Sequence, residues 1–483
     1  DWKRLLAILA GVGLFAVVYC SPPWPDAVDP GGAHFALTRE GKGALAVFLL
    51  AGTWWVFEVV PIGVTSLTIG ILQALFMLRD PGTAFRDFMD PSVLFIFGSI
   101  IIGMVFTKTG LTRRMAYKML SIVGERTGMI YLGCFVMTGV LTHFMAHTAV
   151  AATMFPLLMA IHALYADEGE KTRFGKGLFI GMAYVAGAGS IVTLLGAARG
   201  AVALGFYKDI TGVDVSFFQL SRYMFPVGLL MIFLLWCFFL LFFKPEQARI
   251  LGLKETASGM YRDLGRWTRK ELLTAGIVLG TILVIALKNF IPALAGLHKT
   301  GIILCSTISF FLFNILTIDD LEEVPWNIIL LFAGAMSMGF CLWETEAARW
   351  LAVNWLLLFQ SSPPLIFILG MAFFVMMMTN FIMNVAAIAI SLPVALVIAP
   401  YLGVSGEVIL FSSLVVAGMP FLLLVGAAPN AIAYNSGQFS TGEFFLWGIP
   451  ASILLMLAVW LAVTFIWPLM GMDIFVPVQG QTE

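Results

Sequence analysis

Arg199, in the string GAARG at 196–200, and His147, in THFMAHTAV at 142–150, carry chemistry that is out of place in their apolar surroundings. A guanidinium offers a carboxylate, sulfate or sulfonate a planar two-donor fork. At membrane depth it costs about 2.5–3.5 kcal/mol on insertion scales, so it needs a partner or a wet cavity. Its two readings are an anion ligand and a lock on neighbouring carbonyls. An imidazole titrates near neutral pH and can link binding to protons. His143, one turn earlier, reads as a packing or capping group. Catalytic and metal chemistry find no foothold: the chain has no HExxH, no serine elbow and no intramembrane aspartate pair, so an enzyme is not expected. Cys20, Cys134, Cys237, Cys305 and Cys341 are scattered singly without metal-ligand spacing, and Met376–Met378 read as packing.

The elements that must position these residues follow from composition. Of the 483 residues 60% are hydrophobic and 11% charged, where a soluble domain carries roughly 25% charged residues. The net charge of −1 gives no basic field for nucleic acid, so the lipid bilayer is the expected partner. Apolar stretches near 4–20, 43–60, 62–78, 92–107, 177–207, 223–243, 272–296, 300–316, 326–343, 407–437 and 446–468 predict about eleven transmembrane helices. The chain starts at Asp1 without a methionine, which suggests a trimmed N-terminus, and residues 5–20 read as a first membrane helix rather than a signal peptide.

Two apolar regions, 128–164 and 363–400, each hold a polar break midway. Arms of roughly 14 residues reach only part-way across a bilayer, which predicts two re-entrant hairpins; the alternative is two tight full-length helices per region. Glu58 reads as structural, and Asp319, Asp320, Glu322 and Glu323 as a solvated cytoplasmic turn. The larger part of the Lys and Arg falls on one side. It includes Lys3, Arg4, Lys108, Arg113, Arg114, Lys118, Arg126, Lys171, Arg173, Lys176 and a basic run from Lys244 to Lys270. Arg39, Lys42, Arg79, Arg86, Lys208, Arg222, Lys288, Lys299 and Arg349 fall on the other. That bias puts the N-terminus in the cytoplasm and the C-terminus outside. The segment 108–123 is basic and amphipathic, as an interfacial helix or an ordinary charged loop would be.

The hairpin tips repeat. THFMAHTAVAATMFP (142–156) aligns without gaps to TNFIMNVAAIAISLP (379–393), pairing Thr142 with Thr379, Pro156 with Pro393 and His147 with Asn384. Downstream of each tip an apolar segment is interrupted by a similar string, GAARG at 196–200 and GAAPN at 426–430. Glycine and Pro429 at mid-membrane depth unwind a helix. Paired broken helices in halves of opposite orientation point to a transporter's substrate site. Free N–H groups and positive half-helix ends favour an anion there.

These strings, with TWWVFEVVPIGVTSL (53–67), DPSVLFIFGSIIIGMVFTKTGLTRRMA (90–116) and VPWNIILLFAGAMSMG (324–339), resemble the divalent anion/sodium symporter family. These are the INDY-type carriers of di- and tricarboxylates and sulfate, and the resemblance runs nearly the whole chain. It implies an all-α polytopic membrane protein with an inverted repeat, a dimer-forming scaffold and a transport domain that moves as an elevator. Residues 1–126 would be the scaffold helices and interfacial arm of repeat 1. Residues 127–243 would hold its hairpin, broken helix and closing helix, and 244–271 a basic cytoplasmic linker. Residues 272–350 would be the second scaffold and arm, and 351–483 the second hairpin, broken helix and last helix.

The family's Ser-Asn-Thr tips fall here on Ala146-His147-Thr148 and Met383-Asn384-Val385, and its unwound turns on Arg199-Gly200 and Pro429-Asn430. Those ten residues are the implied substrate site. Thr142, His147, Gly196, Thr379, Asn384 and Gly426 are the candidates for a coupling ion. Ala146, Met383 and Val385 replace tip oxygens, and hard cations need several oxygen ligands. The expectation is that built-in positive charge replaces one or both sodium ions. The leading reading is an elevator transporter of small organic anions, working by sodium-independent exchange or linked to protons, as a homodimer in a bacterial inner membrane. Alternatives are a sodium-coupled dicarboxylate or sulfate symporter and a non-transporting anion sensor. No cofactor is expected, apart from sodium under the symport reading. The apolar second tip suggests a substrate with a less polar end than a usual dicarboxylate.

Overall fold

Apolar runs of this length leave the backbone little water to bond with, so the amide groups satisfy one another within helices. The computed structural model, which describes residues 2–28, 34–57, 59–167, 169–287, 291–359, 362–381 and 384–478, is 76% helical. The protein is a polytopic all-α membrane protein. Glu58, Lys288 and Met383 lie outside the described residues. Among those described, six helices are long and apolar enough to cross a bilayer, and seven more are apolar over 10–17 residues.

Each of the two polar breaks separates a pair of helices. The first joins Thr127–Leu141 to His147–Ala163, and the second Pro364–Phe381 to Asn384–Ile398. The arms run 15, 17, 18 and 15 residues, longer than the expected 14, because the helices take in polar tip residues such as His147 and Asn384. The long segments after them break where the GAARG and GAAPN strings predict. Arg173–Gly189 stops and Arg199–Thr211 resumes; Gly406–Ala417 stops and Ala428–Tyr434 resumes.

Packing follows the repeat. Each first arm lies on the first half-helix of its own repeat. Each second arm crosses to the other repeat: His147–Ala163 meets Ala428–Tyr434, and Asn384–Ile398 meets Arg199–Thr211. The remaining helices swap in the same way. Ile62–Leu75 packs on Trp326–Glu344, and Lys299–Leu312 on Pro91–Thr109. In the first pair Gly63 N–H donates to Asn327 Oδ1 at 2.8 Å and Gln73 Nε2 to Ser337 Oγ at 2.9 Å. The offset is the same at both ends, so these two helices run in one direction.

A buried ion network closes one end of that pair. Arg79 donates from Nη1 to Asp87 at 2.6 Å and through Nε and Nη2 to both oxygens of Glu344 at 2.7 Å. The basic stretch after residue 244 is not extended. Leu253–Asp263 folds back on the amphipathic Leu111–Val123 helix. Arg114 fastens the turn that follows, reaching Glu271 at 2.7 Å and Gly265 O at 2.9 Å.

Candidate functional site

Each tip is wedged against its own broken segment by a glycine. A Cβ on Gly196 would sit 2.4 Å from Thr142 O, and one on Gly426 3.0 Å from Thr379 O. Only glycine lets these backbones approach so closely. The matched contacts are the three-dimensional form of the GAARG/GAAPN repeat. In the first tip His147 N–H donates to Gly196 O at 3.1 Å and Thr193 Oγ1 to His143 O at 2.9 Å. The Thr142 hydroxyl turns back to Gly139 O at 2.6 Å. In the second tip Thr379 Oγ1 lies 2.8 Å from Asn384 Oδ1 and 3.0 Å from Ala417 O, a cluster of three oxygens.

Arg199 opens the second half-helix of repeat 1 and is 2% exposed. Its Nη2 donates to Ser190 Oγ at 2.9 Å, while its Nη1 is buried without a hydrogen-bond partner. Among the described residues no carboxylate pairs with it. Ser190 Oγ in turn donates to Gly187 O at 2.7 Å, so the hydroxyl is held facing the guanidinium. The opposite wall is Gly418, in the broken segment of the other repeat, where a Cβ would fall 2.1 Å from Nη2 and 2.7 Å from Cζ. Gly418→Ala is therefore expected to push the guanidinium off Ser190. It would weaken anion binding about tenfold, the worth of one charged hydrogen bond at ~1.5 kcal/mol. Titration calorimetry beside a melting curve checks this, and an unchanged affinity would refute the seating role.

His147 is the first residue of its helix, and Nδ1 lies 3.3 Å from Gly196 O, with no protein partner at Nε2 among the described residues. The residue before it, Ala146, makes no side-chain cap, so the first N–H groups of the helix are left to other acceptors. Two helix starts, an imidazole and an incompletely bonded guanidinium thus border one space. Together they make a setting for an anion.

That space is a cavity of about 1100 Å³. Of the sequence-derived site residues it is lined by Ala146, His147, Thr148, Arg199, Asn384, Val385 and Gly426. Pro429 and Asn430 border a closed seam beside it instead. The Asn430 amide donates to Pro420 O at 2.8 Å and Leu423 O at 3.1 Å, bracing the loop. Gly200 faces Leu194 rather than the cavity. Thr142, Thr379 and Gly196 form the layer behind the tips.

The sequence reading missed the other wall, with Lys108, Thr112, Arg113 and Asp320. Its only trace was the basic amphipathic pattern of 108–123. Nor is Asp320 simply solvated. It is 9% exposed, ion-pairs with Lys108, and accepts from Thr317 N–H at 2.6 Å and its hydroxyl at 2.9 Å. Burial pushes the Asp320 carboxyl up, but Lys108 and Thr317 outweigh it and hold it below the usual carboxylate range. Met376 is buried in the core and Met377 and Met378 pack against it. His143 is likewise a packing group, its ring 6.4 Å from that of Phe225.

The sequence profile of the sodium:sulfate symporter transmembrane region matches residues 9–472. A sodium-dependent dicarboxylate transporter, SdcS, of Staphylococcus saprophyticus is 24% identical over 465 residues, 91% of this chain and 89% of that protein. SdcS of Staphylococcus aureus is 25% identical over the same shares. Two solved structures share the fold. The YdaH transporter of Alcanivorax borkumensis has a TM-score of 0.57 at 13% identity, covering 97% of this chain and 98% of that one. The MtrF efflux pump of Neisseria gonorrhoeae has a TM-score of 0.57 at 12% identity, covering 95% and 93%.

Proposed function

The chain belongs to the sodium:sulfate symporter transmembrane family, and from that premise we propose that it is a secondary transporter of small organic anions. The family is one of transporters rather than enzymes. The observation that carries the reading is Arg199, a buried guanidinium with a free Nη1 beside His147 at the meeting of two broken helices. Buried charges are tolerated when paired, and a bound anion supplies the missing partner. Ala146, His147, Thr148, Arg199, Asn384 and Val385, with Met383 of the second tip, are its substrate site, and Gly200, Pro429 and Asn430 support it from behind. The carrier is a homodimer in a bacterial plasma membrane. The hairpins and broken helices, 127–243 and 351–483, form an elevator domain that moves against the helices of 1–126 and 272–350. The N-terminus is cytoplasmic and the C-terminus external.

Coupling is sodium-independent, by exchange or through protons, because fixed positive charge in repeat 1 occupies the role of a cation. A second reading, sodium symport, is favoured by the oxygens of Thr379, Asn384 and Ala417 and by the sodium-dependent relatives. Uptake of a dicarboxylate into proteoliposomes, with and without a sodium gradient, separates the two. Equal uptake is expected, with His147→Asn altering pH or ion dependence while the protein still folds. Strict sodium dependence would remove the first reading in favour of the second.

A further inference from the structure

The charges around the cavity suit one anionic group better than two. At the wall formed by the Pro91–Thr109 and Leu111–Val123 helices stand Lys108 and Arg113; across from them stand Asp320 and Glu323. Lys108 is neutralised by its ion pair with Asp320, so this rim is balanced, two positive groups against two negative. That leaves Arg199 as the one buried charge on the lining without a charge partner among the described residues, and its incompletely bonded guanidinium calls for one anionic group. The repeat-2 tip adds no second charge. Asn384 spends its Oδ1 on Thr379, which leaves a neutral amide, and Val385 beside it is apolar and 5% exposed.

Between the guanidinium and the rim the walls are apolar, with Ile100, Met104, Ala152, Leu157, Ile328 and Phe332 on three different helices. A cavity of about 1100 Å³ also stands just above the range that encloses drug-sized ligands, ~300–1000 Å³. A short diacid would leave most of this apolar wall wet and would set its second carboxylate against it without a partner. Desolvating an unpaired charge in such a place costs a diacid affinity that a monoanion keeps.

We propose that the substrate is an amphipathic monoanion: one carboxylate, sulfonate or sulfate head carried on an apolar tail. The head meets Arg199 Nη1 and the open N-terminus of the His147–Ala163 helix, and the tail lies along the Ile100, Ala152 and Phe332 wall. This rests on the transport reading of the same site and narrows its substrate class.

Alkanesulfonates test it without the passive membrane crossing of protonated fatty acids. The full chain in nanodiscs is titrated calorimetrically with hexane-1-sulfonate, methanesulfonate and ethane-1,2-disulfonate. Each buried methylene is worth up to about fourfold in affinity, so hexane-1-sulfonate is expected to bind at least tenfold more tightly than either of the others. Ala152→Gln, which sets an amide on the apolar wall, is expected to close the gap between hexane-1-sulfonate and methanesulfonate. Arg199→Met is expected to abolish the binding of all three. Tightest binding by ethane-1,2-disulfonate overturns the proposal and leaves the transport of small anions standing. So does retention of hexane-1-sulfonate binding by Arg199→Met, since the head would then lie elsewhere. Binding of none of the three, with counterflow of a dicarboxylate intact, removes this substrate class alone. Absence of both binding and counterflow removes the transport reading with it.

Discussion

Replacing Arg199 by methionine is expected to cost at least about 30-fold in anion affinity while leaving the melting temperature unchanged or higher. The two halves of this result come from one fact. The guanidinium is 2% exposed and, among the described residues, holds a single hydrogen bond to Ser190 and leaves Nη1 unpaired. A buried cation without a counter-charge lowers stability, and exchanging buried charges for apolar groups of similar volume is neutral or favourable by ~1–4 kcal/mol. Binding pulls the other way, because truncating one member of a buried charge pair costs ~2–5 kcal/mol. Binding titrations and melting curves on the same preparation check both halves. If the melting temperature falls along with affinity, Arg199 is a structural lock on its surroundings and the anion reading loses its main support.

Arg79→Met is expected to do the reverse, with a loss of stability of about 3 kcal/mol and little change in intrinsic anion affinity. Arg79 is paired on both sides, to Asp87, whose side chain is 9% exposed, and to Glu344, at 49%. Removing the guanidinium strands a buried carboxylate, and breaking a buried pair in this way costs ~3–5 kcal/mol. The low end applies because Glu344 can turn to water. The double variant Arg79→Met/Asp87→Leu is expected to recover most of the loss, since no uncompensated charge is then left in the core. Melting curves of the two variants decide it. A double variant as unstable as the single one would mean that Arg79 acts through packing on Gln73 and Glu344.

The contrast between these two arginines marks how much of the molecule was legible in the chain. The broken helices, the paired tips and the matched GAARG and GAAPN strings were readable because each is a local departure from helical, apolar sequence, repeated in order. Their expected pairing has a physical counterpart in Gly196 against Thr142 and Gly426 against Thr379. What the chain could not announce were contacts made by ordinary residues across the repeats. Gly418 carries no local mark, and its significance comes from a guanidinium more than two hundred positions earlier in the chain. Asp320 looks like a surface acid until the packing of the two repeats brings Lys108 to it, and Ser190 like any serine near a helix end until the break after Gly189 folds Arg199 back on it. Asn430 was readable as part of a break, but its bonds to Pro420 and Leu423 depend on how the loop closes.

The crossed packing of the second arms also sets a timetable for biosynthesis. The helix that begins at Arg199 finds its neighbour in Asn384–Ile398. At ~5–20 residues per second, the ribosome adds the stretch from Gly200 to Asn384 in about 10–40 s. Throughout that interval the nascent first repeat holds an arginine in the membrane before Gly418, the far wall of its seat, has been synthesised. The binding chamber is therefore a late product of translation: a chain that stops short of the second repeat leaves behind the charge without the place built for it.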